Sequence, residues 1–402
     1  MIHDHIIVGS GLSALGAAMA ISPQASLLVL AGEPQGQFTY YDASGAVPCS
    51  FGGAGGLGNA WHGVIPMNLG GRLAVADTAA YAAFLEQFYP GAPRTQLGSD
   101  QLFVPWHPIR PLDHWGPMRQ ARGERLTWVE ASALHIAREG DLMAVRASNG
   151  SSLRCRRLWL AAGATRTPFL LERSFGQGIA RPFISDHALC YVGLVQDRRA
   201  PRVSQQRQGV FFEAFYNAAR DTLYTRRPAR FAYRKLDFGI EQRAVFGMPT
   251  GTAVAKIAKR LSPGLLAEAF FNKFGVFAQA NTYSIYAQRV VEDAYQFSDT
   301  AQPLKACLAN IQAETQAARE QAPFAGLTPS KRNDLYIPGI HLHNSIQPGA
   351  LASLGINQPG ASIHVVDPSV VRNIGPEHHS FKVMHSAHTT VQAEGRLNPI
   401  TN

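Results

Sequence analysis

Ile6-Ile7-Val8-Gly9-Ser10-Gly11-Leu12-Ser13-Ala14-Leu15-Gly16-Ala17-Ala18 is the stretch from which the rest of the chain is read. A short apolar run meets a glycine turn and continues into small residues suited to a helix. That is the strand, phosphate-binding turn and helix of a dinucleotide-binding unit. Gly9 makes the tight turn, Gly11 lets backbone approach a pyrophosphate, and Ala14 fills the third small slot, where helix and sheet pack closely. Leu12 and Ser13 open the helix, whose unpaired N–H groups and partial positive charge suit a diphosphate. A second apolar run, Ser26-Leu27-Leu28-Val29-Leu30, follows at βαβ spacing. An acid at the end of that strand usually holds the adenosine ribose. The expected slot is Ala31, which cannot do this, so Glu33, two residues on, is the candidate.

The chain has 402 residues, 46% hydrophobic and 16% charged, which suits two interleaved domains around a large core. No run approaches the roughly 20 apolar residues of a membrane span. The first strand is expected to begin at His5 or Ile6, which leaves no room for a leader and implies a cytoplasmic protein. Cys49, Cys155, Cys190 and Cys307 lie far apart with no Cys-x-x-Cys pair, so they read as reduced thiols rather than a zinc or disulfide framework. Lys and Arg number 37 against 28 acids, a net charge of +9. Several of these cations, at Arg198, Arg199, Arg202, Arg207, Arg226, Arg227, Arg230 and Arg234, crowd the middle third. No nucleic-acid-reading module is visible. An anionic small substrate or a peripheral membrane contact remains open, beside the plain reading of a solvated face.

Phe51-Gly52-Gly53-Ala54-Gly55-Gly56-Leu57-Gly58-Asn59-Ala60-Trp61-His62-Gly63 has no propensity for helix or strand. Trp61 and the apolar residues after it mark it as a packed loop, such as a flat cofactor ring requires. Here the chain resembles the glucose–methanol–choline (GMC) oxidoreductases, FAD enzymes that oxidise alcohols. Gly55, Gly56, Trp61 and Gly63 match the family's flavin-lining segment, and Asn59 falls where a flavin-contacting polar residue is common. Leu158 to Ala161 reads as a strand running into Ala162-Gly163-Ala164-Thr165-Arg166-Thr167-Pro168, similar to the family's third nucleotide-contacting crossover at Ala162 and Gly163. Asp186-His187 echoes an Asp-His pair that closes this section in the family, and is read as a structural hydrogen bond.

Between these motifs, Thr78 to Tyr89 reads as a helix capped by Asp77, and Pro105 to Pro117 as an irregular Trp- and Pro-rich segment. Leu126–Val129 and Ala144–Ala147 read as strands, with Asn149-Gly150 as a hairpin turn. From Ala188 to about Asp334 the character changes to alternating strands such as Gly209 to Tyr216 and Ala278 to Val291. Thr252 to Phe274 reads as helical, either core packing or a lid or membrane-facing helix.

The carboxyl end holds half of the histidines. Ile340 to Ser345 reads as a strand with His341 and His343 on one face, and Ala361 to Asp367 as another ending in Val366-Asp367-Pro368-Ser369. Resemblance to the GMC family implies that Asp367 and His379 border the cofactor. It also implies that the residue eleven after that Asp, His378, opens the last helix as a catalytic group. His343 is the better match for the family's other histidine and His341 its rival, since the usual glycine three residues on is Ile346. Neutral imidazoles suit removal of a hydroxyl proton. His-x-His can also ligate metal, but without a carboxylate or thiolate at ligand spacing no metal is expected. His364, His385 and His388 read as structural.

The expected fold is α/β (α+β overall): an FAD-binding Rossmann-like domain from 1–75, 120–187 and 335–402, with a strand-rich substrate domain from 76–119 and 188–334. The activity the resemblance implies is FAD-dependent oxidation of a small-molecule or carrier-bound hydroxylated substrate, an alcohol, sugar or biosynthetic intermediate. A GMC-like flavoprotein with non-oxidative, lyase- or isomerase-type chemistry is the alternative.

Overall fold

The computed structural model describes residues 1–33, 37–41, 47–61, 63–70, 73–91, 97–196, 204–206, 208–228, 282–297, 304–329, 336–339, 341–372 and 374–397. The expected helix from Thr252 to Phe274 lies outside them, as do Arg198, Arg199, Arg202, Arg207, Arg230 and Arg234.

The first strand is Ile2–Val8, and it is the middle of a seven-stranded sheet. It pairs in parallel with Leu27–Leu30 on one side and with Ser152–Leu160 on the other. Leu27–Leu30 in turn pairs in parallel with Leu126–Val129. Strands covered on both faces need apolar side chains at successive positions. Accordingly Ile6, Ile7 and Leu27 to Leu30 are all buried. Ser152–Leu160 is long enough to take two partners along one edge. Its first half pairs antiparallel with Leu142–Ala147, and its second half pairs in parallel with Ile363–Val365. The hairpin turn falls on Asn149-Gly150, with Gly150 at φ 84° and the Asn149 side chain accepting from the backbone N–H of Ser151. Parallel order sends the carboxyl ends of five strand segments, near Gly9, Ala31, Glu130, Ala161 and Val366, to one edge, where ligands of such sheets bind.

The first helix, Leu12–Ala20, lies against the last, Ser380–Leu397. Gly16 allows this, because a Cβ there would sit 2.2 Å from the Met384 carbonyl oxygen. Helix Thr78–Phe88 packs on the same final helix through Tyr81 and Phe84, whose rings meet Phe381 at 5.5 and 5.4 Å. Its Asp77 cap accepts from the Ala80 N–H at 2.9 Å.

The segment from Pro105 to Pro117 is not irregular throughout: Pro111–Arg122 is a helix. Pro111 stands in the first turn, where its missing N–H is no loss. Pro117 sits inside and removes one helical hydrogen bond. Burial of Trp115, whose indole N–H donates to the Ser10 carbonyl at 2.8 Å, offsets that loss.

The second sheet has ten strands and is antiparallel. Its spine is the pair Phe183–Gln196 and Thr282–Gln296, followed by Thr222–Pro228, Gly209–Asn217, Gln101–Pro105 and Ile65–Pro66. Helix Leu308–Glu320 packs on that spine. No helix among the described residues is long and apolar enough to cross a membrane.

Candidate functional site

Ser10 joins the two glycine loops. Its hydroxyl donates to the Ala31 carbonyl at 3.1 Å and accepts from the Gly55 N–H at 2.8 Å. The loops therefore meet at the carboxyl end of the first strand. Gly9 and Gly11 serve different ends there. Gly9 has φ 112°, and a Cβ on it would lie 2.2 Å from the Ala161 carbonyl oxygen, so packing within the protein demands glycine. Gly11 has φ −74°, which any residue adopts, and its added Cβ would meet only the Gly55 carbonyl at 3.7 Å. The bare backbone at Gly11 is thus a cradle that the protein leaves unfilled, beside the first-turn N–H groups of Leu12, Ser13 and Ala14. Such a concavity fits a pyrophosphate. Ser13 and Ala14 are themselves buried.

Other residues of this region mostly hold loops together. Asn59 donates from its amide to the Ala54 carbonyl at 2.9 Å and accepts from the Leu112 N–H at 3.3 Å, fixing the Gly55-Gly56 turn. Trp61 is buried in the core of the first sheet. Glu33 is exposed past the end of the second strand, and its charge acts on Arg166. Asp367 is buried and accepts from the Gly163 N–H at 2.9 Å, the Thr167 hydroxyl at 2.5 Å, and the Ser369 N–H and hydroxyl at 3.0 and 2.5 Å. Burial pushes this carboxyl up, against four hydrogen bonds that favour the carboxylate. It ties the Ala162-Gly163 crossover to the last parallel strand.

The histidines converge. His341 and His378 rings lie 5.7 Å apart between centroids, His341 and His379 4.9 Å, and His343 and His379 5.6 Å. His187 joins them, 5.3 Å from His341, 5.9 Å from His343 and 5.2 Å from His379. Of the strand that the sequence predicts over Ile340 to Ser345, the described residues His341 to Ser345 do not form a regular strand. His343 makes a single bridge with Ser185, and Asn344 turns the backbone into the left-handed region at φ 56°. His341 is half-buried while His343 is fully buried.

Each imidazole has a defined setting. His343 Nδ1 faces the His341 carbonyl oxygen at 2.8 Å and so carries the proton, which leaves the lone pair on Nε2. That nitrogen is buried and has no hydrogen-bond partner among the described residues; the same holds for His379 Nδ1. Burial pushes His343 down to about 3 and His187 down to about 4, and holds His379 well below the usual imidazole range, with the neighbouring rings adding to the effect on His379. All three are neutral at neutral pH. Asp186 organises the backbone beneath them, accepting from the N–H of His187 at 2.7 Å and of His341 at 2.6 Å. Gln288, from the long strand Thr282–Gln296, donates to the Pro376 carbonyl at 2.9 Å, which fixes the loop before His378. Nothing in the sequence marks Gln288, because only pairing of the two long strands brings it here.

No protein-family model matches the sequence, and no curated protein matches it. Among solved structures, pyridoxine 4-oxidase from Mesorbium loti, a GMC oxidoreductase, covers 97% of this chain and 99% of its own, at TM-score 0.51 and 15% identity. The chain has the GMC oxidoreductase fold. Two further structures, an oxidoreductase from Agrobacterium tumefaciens and a thioredoxin reductase from Gloeobacter violaceus, each cover 40% of the chain, at TM-scores 0.22 and 0.21 and identities of 14% and 18%. Within this fold the glycine cradle is built from the amino-terminal segments around Gly11 and Gly55, and the histidine cluster from His187 and the carboxyl-terminal segments.

Proposed function

We propose that this chain is an FAD-dependent oxidoreductase that oxidises a hydroxyl group of a small or carrier-bound molecule. The observation that carries the reading is the unfilled backbone cradle at Gly11, set in the same fold as a cluster of imidazoles from both sides of Asp367. Gly9, Gly11, Leu12, Ser13 and Ala14 would hold the diphosphate, with Glu33 near the ribose and Gly55, Gly56, Asn59, Trp61, Ala162, Gly163, Asp367 and His379 around the remainder. When bound, the flavin supplies the hydride acceptor at N5.

The chain's own residues supply orientation and proton handling. His343 Nε2, whose lone pair is set by the Nδ1 bond to the His341 carbonyl, accepts a hydrogen bond from the substrate hydroxyl and takes its proton as the hydride leaves, since burial makes it too weak a base to do so beforehand. His378 holds the same oxygen from the other side, with His341 the rival to His343. Positioning by two groups makes the carbinol hydrogen point one way. The same reading has 1–75, 120–187 and 335–402 bind the cofactor and 76–119 with 188–334 select the substrate, with Ile65–Pro66 and the start of Phe183–Gln196 crossing into the second sheet and Thr78–Phe88 packing back on the final helix.

The test is anaerobic reduction of the purified yellow protein by a panel of alcohols and glycosides. Bleaching of the flavin absorbance by a member of the panel is expected, and H378A should retain flavin but slow the bleaching ~10²-fold or more. Release of hydrogen peroxide in air would make it an oxidase rather than a dehydrogenase. Binding of a hydroxylated ligand without bleaching would favour the non-oxidative alternative.

A further inference from the structure

The histidine cluster contains a conflict that hydrogen bonds alone do not resolve. His187 Nε2 lies 2.8 Å from the Gly375 carbonyl oxygen, an acceptor only, so Nε2 carries the proton and Nδ1 a single lone pair. Two groups crowd that lone pair: the Gln288 amide nitrogen at 3.1 Å and His341 Nδ1 at 3.2 Å. One lone pair cannot serve two donors well. Two imidazole nitrogens on one tetrahedral zinc, at about 2.0–2.1 Å each, stand about 3.3 Å apart. The observed His187–His341 separation fits that value. The nearest nitrogens of His187, His341 and His379 all lie within 4.8 Å of one another. His379 is buried with no hydrogen bond at Nδ1 to hold its ring, so a small rotation brings it in.

We propose that His187, His341 and His379 form a binding site for one divalent transition-metal ion of the zinc or cobalt type. Neutral nitrogen donors without a carboxylate in the set select these ions over magnesium or calcium. The surroundings have the form of a metal site's outer shell. A backbone carbonyl holds the far nitrogen of His187, and Asp186 pins the backbone of His187 and His341 together. Gly339 lets the strand before His341 approach, since a Cβ there would lie 2.7 Å from that of His187. His341 is half-buried, which leaves an approach for the ion from its side. Chain spacing hides this triad, because the third ligand comes from position 187, far from the His-x-His pair. The site shares His379 with the residues placed around the flavin. An ion held there would take up His341 and His379 and leave the proton step to His343 and His378.

The experiment is titration of chelator-dialysed, flavin-containing protein with Co²⁺, read by its visible ligand-field bands and by competition with Zn²⁺. One equivalent of Co²⁺ is expected to give intense tetrahedral-type bands that Zn²⁺ abolishes. H187Q and H379Q should each weaken binding ~100-fold or more, while H135Q, on the first sheet, should bind as wild type. Circular dichroism and urea midpoints establish that each variant is folded. Absence of the bands in folded wild-type protein, or equal binding by wild type and both folded triad variants, would overturn the proposal. The flavin spectrum, recorded in the same samples, reports separately on the cofactor reading.

Discussion

At Gly9 an added Cβ would lie 2.2 Å from the Ala161 carbonyl oxygen in backbone at φ 112°, whereas at Gly11 it would meet nothing nearer than 3.7 Å at φ −74°. The two substitutions should therefore separate stability from binding. G9A should destabilise the fold by ~2–4 kcal/mol, read as a lower urea midpoint, because strained backbone and a clash with main chain add. G11V should leave that midpoint nearly unchanged and purify without bound flavin. Asp367 is the other residue on which local order converges, with four donors on one carboxylate from two crossovers. In D367N an amide group faces donors with a donor of its own, and a loss of ~2–4 kcal/mol should follow, visible in the same measurement. Gly9, Gly11 and Asp367 were all legible in the sequence by motif. Ser10 was not, since its role is a bond between two loops that lie 45 positions apart.

Among the elements, the final helix does the most to unite the chain. Its Lys382 is buried and donates to Glu377 at 2.9 Å and to the Gly70 carbonyl at 3.0 Å, linking the helix start to the segment after the second glycine loop. K382M leaves Glu377 buried without its cation and should cost ~3–5 kcal/mol; the double variant K382M/E377Q should recover most of that in thermal melts. The contact of this helix with the first helix was unreadable from sequence. Gly16 is glycine because the Met384 backbone passes there, a fact of packing rather than of local pattern. Helix Pro111–Arg122 was missed for a related reason: two prolines outweigh local propensity until the Trp115 anchor is seen to be buried. By contrast helix Thr78–Phe88 was plain, since its cap and its apolar spacing agree.

For the whole molecule, buried neutral histidines impose a pH dependence outside the cluster as well. His5 beside Trp159, and His385 against Tyr81 and Phe84, are each pushed down to about 4 by burial. A histidine with its folded value below the unfolded 6.5 gives stability that is full above 6.5 and is lost as pH falls toward 4. Urea midpoints should therefore drop between pH 7.5 and pH 5, by about 2 kcal/mol for each such residue in wild type. H385F, which keeps the ring packing, should show a shallower decline. The sequence alone determined the strand–turn–helix at the amino end, the crossover at Gly163 and the strand just before Asp367, because each is written in contiguous residues whose spacing follows backbone geometry. Only the tertiary structure decided that five histidines share one cluster, that Asn344 turns the backbone just after His343, and that Gln288 and His187 brace the loop before His378. Those contacts depend on two long antiparallel strands crossing the histidine segments, and pairing over about a hundred residues leaves no periodic trace in the chain.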